Sequence, residues 1–143
     1  MKNNKYQIEL DFLIFSLIAL GACILIFVCL YIFEQNEKYK TLGYSADGIL
    51  SQAQVYDFQN NMTEGKKVYL NTLIEEEYIN HVYNPFDSEM ALCMEEESYV
   101  IKKDDIIYLT LKCGDYSLIN YFTNQKKKVY KTKNGEEKLI KTY

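Results

Sequence analysis

The first feature of the chain is a long apolar stretch near its N-terminus. Residues 12–33 read FLIFSLIALGACILIFVCLYIF, and no charged residue lies between Asp11 and Glu34. A soluble core helix carries a polar face, which this stretch lacks. About twenty apolar residues in a helix span a hydrocarbon core of about 30 Å. The pattern therefore predicts a transmembrane helix over 12–33, preceded by a short N-terminal segment over 1–11 that the cysteines discussed below place in the cytoplasm.

A helical repeat of apolar residues follows this stretch directly. Its members recur at spacings of three and four, which is typical of a helix that presents one apolar face. No proline separates the two parts, so we expect one continuous helix with an amphipathic extension over 34–60. Gly43 and Gly48 weaken that helix locally. The repeat consists of Tyr39, Leu42, Ala46, Ile49, Ala53 and Tyr56.

The pattern changes again towards the C-terminus. Residues 68–79, VYLNTLIEEEYI, suit a short second helix that ends near Asn84-Pro85, because the residue before a proline avoids helical geometry. From Ser98 onward, runs rich in tyrosine and β-branched residues alternate with turn residues, as in an antiparallel meander. The predicted fold is α+β: a long N-terminal helix and, over 61–123, a small head with an antiparallel sheet. The strand-like runs are SYVIK, DIIYLTLKC and DYSLINYF.

The last twenty residues, 124–143, predict a lysine-rich terminal hairpin. Asn134-Gly135 is a strong signal for a two-residue hairpin turn. The register that this turn sets places two lysines opposite each other, and like charges at such positions are destabilising. We therefore expect an exposed, weakly held hairpin. The predicted cross-strand pairs are Tyr130 with Leu139, Val129 with Ile140 and Lys131 with Lys138.

Two cysteines in the C-terminal part indicate a disulfide and an orientation. Cys93 and Cys113 enclose a loop of about twenty residues, whose closure stabilises a small domain by about 3 kcal/mol. Disulfides persist in oxidising compartments, so the pair favours an extracellular C-terminal part and a cytoplasmic N-terminus. Free thiols in a cytoplasmic domain are the alternative. The lysines on the two sides of the apolar stretch are balanced and do not decide the orientation.

The composition narrows the classes of function. All 16 basic residues are lysine, so the chain lacks the guanidinium forks that favour specific phosphate recognition, and specific nucleic-acid binding is not expected. No nucleophile paired with a base, phosphate-binding loop or glycine-rich fingerprint is present in the sequence. The chain is therefore predicted to be non-enzymatic and to carry no cofactor.

Candidate metal ligands are few. His81 is the single histidine and no Cys-x-x-Cys pair is present, so zinc is not expected. Asp87 with Glu89, or Asp104 and Asp105 with Asp115, leave calcium as an alternative, although no EF-hand spacing occurs. The acidic runs 75–77 and 95–97 contrast with the lysines from Lys126 onward. They predict solvated faces or, alternatively, electrostatic contact between subunits or with an anionic polymer.

The apolar stretch carries candidate assembly residues of its own. Ser16, Ala19 and Cys23 recur at spacings of three and four, which gives one face of small residues that another helix can approach closely. Small residues are also common in any single-pass helix, and Cys29 fits as a small apolar side chain. LGAC over 20–23 matches a bacterial lipoprotein cleavage site, so lipidation at Cys23 is an alternative to a spanning helix.

The order of these parts resembles type IV pilin-like proteins and pseudopilins of the type II secretion or competence type. A lysine-bearing leader precedes Ile8-Glu9-Leu10 and the apolar helix, an amphipathic extension follows, and a small head carries a cysteine pair. Lys5-Tyr6-Gln7 stands where the family has its Gly-Phe processing site. The further motifs that carry the resemblance are YSADGILSQAQVYDF, LIEEEYI, NPF, SYV and LKCGDY.

The resemblance implies a non-enzymatic subunit that assembles through its N-terminal helix in a secretion, DNA-uptake or adhesion apparatus. It assigns Glu9 as the family's glutamate, which contacts a neighbouring subunit. The expected partners are other pilin-like subunits or membrane helices, including further copies of this chain, and the lipid bilayer. The alternative is a membrane-anchored extracellular binding domain that does not polymerise.

Overall fold

The structure, a computed structural model, describes the backbone of residues 3–133 and 135–142 and the side chains of residues 10–133 and 135–142. The chain divides into two compact units, Met1–Glu37 and Lys38–Tyr143. The helix α1, Asn3–Asn60, begins in the first unit and continues into the second. The predicted continuous helix is therefore confirmed, and neither Gly43 nor Gly48 interrupts it.

The second unit contains the end of α1, one further helix and a six-stranded antiparallel sheet. The strands lie side by side in chain order, so each pairs with the strand before it and the sheet is a simple meander. This arrangement confirms the predicted α+β fold. The elements after α1 are β1 (Lys67–Tyr69), α2 (Leu70–Glu75), β2 (Tyr99–Lys103), β3 (Ile106–Cys113), β4 (Tyr116–Tyr121), β5 (Lys128–Lys133) and β6 (Glu136–Thr142).

One face of α1 packs against one face of the sheet to form the core. The predicted apolar repeat supplies the helix side, because Leu42, Ala46 and Ala53 are fully buried. Alternate residues of β3 supply the centre of the sheet side, as expected for a strand with one buried face. The core also includes Ile49, Leu50, Leu70, Leu73, Val100, Leu109, Leu111, Cys113, Leu118 and Val129.

Short turns join the central strands and fix their register. Lys103 pairs with Ile106 across a two-residue turn, in which Asp104 and Asp105 both have positive φ, as a type I′ hairpin turn requires. Gly114 opens the turn between β3 and β4 with a φ of +59°. A Cβ at Gly114 would lie 2.9 Å from the side-chain nitrogen of Asn84, so glycine is needed there for two reasons.

The predicted end of the second helix is wrong. Helix α2 ends at Glu75 rather than near Asn84-Pro85. Glu77 has a φ of +62°, its N–H bonds to the carbonyl of Ile74, and the N–H of Tyr78 bonds to the carbonyl of Leu73. This is a Schellman motif with glutamate at the position that usually holds glycine. The motif satisfies the last carbonyls of the helix before the proline is reached.

We expect Glu77→Gly to raise the free energy of unfolding by about 0.5–1 kcal/mol. A left-handed conformation costs a residue with a Cβ about 1–2 kcal/mol, and part of that gain is offset by the greater freedom of glycine in the unfolded chain. Urea unfolding of the two proteins measures the difference. Glu76→Gly is the control, because Glu76 has a negative φ and glycine there should destabilise the protein. A loss of stability in both variants would contradict the prediction.

The terminal hairpin differs from its prediction in register and in attachment. Tyr130 pairs with Leu139 and Lys131 with Lys138, as predicted, but Val129 pairs with Lys141 because a bulge shifts the register at this point. The hairpin is not weakly held, since β5 also pairs with β4 and Val129 is fully buried. The facing lysines are tolerated because Lys131 Nζ turns to within 3.3 Å of a hydroxyl, that of Tyr116.

Candidate membrane and assembly surfaces

The apolar part of α1 forms the candidate membrane surface. The helix is long and apolar enough to cross a membrane, and none of its most apolar window is buried inside the protein. Large side chains project on all sides, among them Phe12, Phe15, Phe27 and Tyr31, each more than half exposed. A helix that is apolar all round satisfies its backbone internally and is stable in lipid. These properties fit the predicted span over 12–33.

The predicted assembly residues lie on this helix. Ser16, Ala19 and Cys23 are exposed, and their spacing places them within about 60° of one another around the helix axis. Asp11 is exposed as well. The side chain of Glu9 lies outside the described residues, so its predicted contact with a neighbouring subunit stays a prediction. Cys23 and Cys29 are free, exposed cysteines.

The predicted disulfide joins Cys93 to Cys113, and both residues are buried in the second unit. Cys93 follows a loop whose two sides are held by hydrogen bonds from Cys93 N–H to Val82 O and from Asn84 N–H to Ala91 O. Cys113 is the last residue of β3. The bond therefore fixes the loop over 82–93 to the central strand of the sheet.

A partly buried polar contact joins the middle of α1 to β4 and to the segment before β5. Asp47 accepts hydrogen bonds from the hydroxyl of Tyr121 at 2.5 Å and from Lys127 Nζ at 2.7 Å. Burial, together with the hydrogen bond to Asp47, raises the pKa of the Tyr121 hydroxyl. Burial alone would lower the pKa of Lys127, but its contacts with Asp47 and Tyr121 outweigh that effect and raise it.

The pH dependence of stability tests this contact. Folded Tyr121 and Lys127 keep their protons to higher pH than in the unfolded chain, so the free energy of unfolding falls as the pH rises above about 10. We expect Tyr121→Phe to lose about 1 kcal/mol at pH 8 through the missing hydrogen bond, and to lose less additional stability than the wild type between pH 8 and pH 11. Urea unfolding at both pH values measures this. Equal alkaline losses in the two proteins would contradict it.

A second polar contact fixes the end of α1. Asp57 accepts hydrogen bonds from Lys102 Nζ on β2 at 3.0 Å and from the backbone N–H of Met62 at 2.9 Å. The hydrogen bond that Lys102 donates to Asp57 is the main cause of the raised pKa of Lys102. Both aspartates of the helix extension are thus neutralised by lysines of the second unit.

An aromatic cluster lies at the start of the helix extension. Phe86 stacks on Tyr116 with ring centroids 3.7 Å apart, and Tyr39 contacts Phe86 at 5.1 Å. Lysine nitrogens lie over two of the rings, Lys131 over Tyr116 at 5.0 Å and Lys141 over Tyr39 at 5.2 Å. Cation–π contacts of this kind are attractive. The contact of Lys141 attaches the terminal hairpin to α1, and that of Lys131 attaches it to β4.

The opposite face of the sheet carries a shallow groove of about 440 Å³. Its walls combine tyrosines with residues of both charges. Lys67 lies over the ring of Tyr99 at 3.9 Å, and Lys112 pairs with Glu97 at 3.1 Å. The residues that line the groove include Tyr69, Tyr99, Thr110 and Ile119.

Some residues of the acidic runs and some candidate metal ligands form contacts within the protein. Glu95 lies 2.9 Å from His81, and Asp87 accepts a hydrogen bond from the backbone N–H of Glu89. Across residues 10–133 and 135–142, whose side chains the structure describes, no cluster of three or more His, Cys, Asp or Glu side chains is arranged to hold a metal ion. The sequence did not predict the groove or the Asp47 contact, because the residues that form each of them are far from one another in the chain.

Comparison of the chain with protein-family models, with curated proteins and with solved structures gives no match.

Proposed function

We propose that this chain is a non-enzymatic, single-pass membrane protein that acts as a pilin-like or pseudopilin-like subunit. It assembles with further subunits through its N-terminal helix in a secretion, DNA-uptake or adhesion apparatus. The observation that carries the proposal is the helix α1, which is apolar and exposed over 12–33 and continues unbroken into an extension that a disulfide-bonded sheet covers on one face. The resemblance in the order of parts supports the same interpretation.

The proposed orientation places the N-terminus in the cytoplasm and the second unit outside the cell. The buried disulfide between Cys93 and Cys113 supports this orientation, because such bonds form and persist in oxidising compartments. Labelling of intact cells with a membrane-impermeant reagent tests it. A lysine reagent should modify exposed lysines such as Lys103 and Lys128, whereas labelling only after lysis would refute the orientation.

Substitution of the two acids at the start of α1 tests assembly. We expect Glu9→Gln to reduce cross-linked oligomers in membranes about tenfold, because a carboxylate that meets a cationic group of a neighbour at the membrane boundary contributes on the order of 1.4 kcal/mol. Asp11→Asn is the matched control and should leave the oligomers within about twofold, since Asp11 lacks the family context. The measurement is cross-linking through single cysteines placed at Ser16 and Ala19.

An ordered ladder of cross-linked species supports assembly. Equal yields from the Glu9→Gln and Asp11→Asn variants would assign Glu9 no special role. The absence of specific adducts at every anchor position would refute assembly through the helix altogether.

A lone membrane-anchored binding domain is the second candidate, and the groove beside Tyr69 and Tyr99 favours it. Such a domain binds an extracellular or cell-wall partner without polymerising. In that case Tyr99→Ala should abolish binding to the partner while the protein remains monomeric in the membrane. Mass spectrometry of Cys23 tests the lipidated form of this candidate, since an acylated Cys23 would replace the spanning helix.

A further inference from the structure

The face of α1 that points away from the sheet carries a second apolar repeat. Tyr44, Val55 and Phe58 are 71%, 41% and 91% exposed, so these apolar side chains do not belong to the core. With two small residues between them they recur at spacings of four, three, four and three, so they form one stripe along the helix. We call this stripe the outer seam. It consists of Tyr44, Gly48, Ser51, Val55 and Phe58, all exposed.

Gly48 has no role within the described part of the chain that requires glycine. It lies inside a helix, where glycine costs about 1 kcal/mol relative to alanine. Apart from its chain neighbours and the adjacent backbone of α1, no atom of the described residues lies within 4 Å of the position that a Cβ would occupy, so packing does not need glycine there. A glycine at such a position allows another helix to approach closely, as small residues do in helix pairs.

The surroundings of the outer seam are free of unbalanced charge. Between residues 41 and 60 the sequence contains two charged residues, Asp47 and Asp57, and both pair with lysines of the second unit. The seam is flanked by uncharged residues, Ser45, Gln52, Gln54 and Gln59. Depletion of charge around exposed aromatic residues is the composition of a protein interface core. Over residues 41–60, two such faces can therefore meet without like-charge repulsion.

We infer that the outer seam packs against the outer seam of a second copy of this chain, as a parallel helix pair in register. The inference rests on the proposed membrane anchoring, because copies inserted with the same orientation have their α1 helices running in the same direction. In register, each seam residue meets its own counterpart. Gly48 and Ser51 then form the close central layers, and the rings of Tyr44 and Phe58 form the outer layers.

The size of the outer seam explains why the pairing needs the membrane. Its two aromatic side chains carry about 150–250 Å² each, so their exposed parts supply on the order of 300 Å². A stable soluble interface buries about 800 Å² on each partner. Confinement of both copies to one membrane raises their effective concentration and offsets this deficit. The pair therefore forms between anchored chains.

Cysteine cross-linking of the full-length protein in membranes tests the pair. In a background with Cys23→Ala and Cys29→Ala, the single substitutions Ser51→Cys and Val55→Cys should each give a disulfide-linked dimer under mild oxidation. Gln54→Cys is the matched control, since Gln54 is exposed on the same helix but lies beside the seam. Its yield should be at least about fivefold lower, because its counterpart in the pair lies too far away.

A second variant tests whether the dimer requires close packing of the two helices at Gly48. Gly48→Leu should reduce the Val55→Cys dimer about tenfold, because its side chain separates the helices, whereas the fold tolerates it in open space. The urea unfolding midpoint, unchanged or raised, checks that the second unit remains folded. An undiminished dimer yield in the Gly48→Leu variant would overturn the inference.

The results also separate this inference from the proposed function. Cross-links at Ser16→Cys or Ala19→Cys without cross-links at the seam overturn the seam pair and leave assembly through the anchor intact. Seam cross-links without anchor cross-links support the pair and refute assembly through the anchor. A staggered assembly gives dimers only when two different single-cysteine proteins, such as Ser51→Cys and Phe58→Cys, are mixed, and that outcome also overturns the pair in register.

Discussion

Replacement of both Cys93 and Cys113 by alanine is expected to lower the free energy of unfolding of the second unit by about 3 kcal/mol. The bond closes a loop with a sequence separation of 20, and the loss of this constraint increases the entropy of the unfolded chain by about that amount. Two observations add to the effect. The cysteines are buried in the core, and the bond fixes the loop over 82–93 to the central strand β3.

Urea unfolding of the full-length protein in detergent, followed by tyrosine fluorescence, measures this difference. The matched control is the double variant Cys23→Ala and Cys29→Ala, whose thiols are exposed and lie outside the second unit. That control should unfold like the wild type. A loss below about 1 kcal/mol in the Cys93 and Cys113 variant would show that the loop is held by its hydrogen bonds without the disulfide.

Leu109→Ala is expected to cost about 2–5 kcal/mol of unfolding free energy. Leu109 is fully buried on β3, the strand that lies between β2 and β4 and faces α1. Removal of its side chain leaves a cavity between sheet and helix, so both transfer free energy and packing are lost. A domain of this size has about 5–15 kcal/mol in total, so the variant should be partly unfolded at moderate temperature.

The control is the same substitution at Leu139. This leucine lies on β6 of the same sheet and is 46% exposed, so Leu139→Ala should cost below about 1 kcal/mol. Thermal unfolding of both variants gives the comparison. Similar losses at the two positions would contradict the assignment of the core to the face that packs against α1. Leu109 and Cys113 both lie on β3. We therefore do not expect the losses of unfolding free energy from the two substitutions to be additive.

The sequence predicted the elements whose signal is local and periodic. The spacing of Leu42, Ala46 and Ala53 identified the buried face of α1, and runs rich in tyrosine and β-branched residues, separated by turn residues, identified β2, β3 and β4. The spacing on the helix follows directly from backbone geometry, and the composition of the runs reflects the preference of these residue types for strands. The disulfide followed from two cysteines in a small domain. These predictions succeeded because each depends on residues close in the chain or on a pair without competitors.

The features that the sequence did not predict depend on geometry that has no local period. Helix α2 ends early because Glu77 adopts a left-handed conformation that glutamate rarely takes. The bulge near Val129 moves Lys141 into the position expected for Ile140. Tyr121 and Lys127 contact Asp47 across more than seventy residues.

The outer seam had a readable signal. Tyr44, Gly48, Ser51, Val55 and Phe58 follow the same spacing of three and four as the buried repeat, so the sequence contains a second stripe beside the first.

The sequential order of the strands also bears on the folding pathway of the second unit. Each strand from β3 to β6 pairs with its immediate predecessor across a short connection, so its pairing closes only a short loop and loses little chain entropy. Proteins dominated by such local contacts fold rapidly. The contacts of α1 with the sheet, such as Asp47 with Tyr121, span much longer sequence separations. We therefore expect the hairpins of the meander to form early and the docking of the helix to limit the rate.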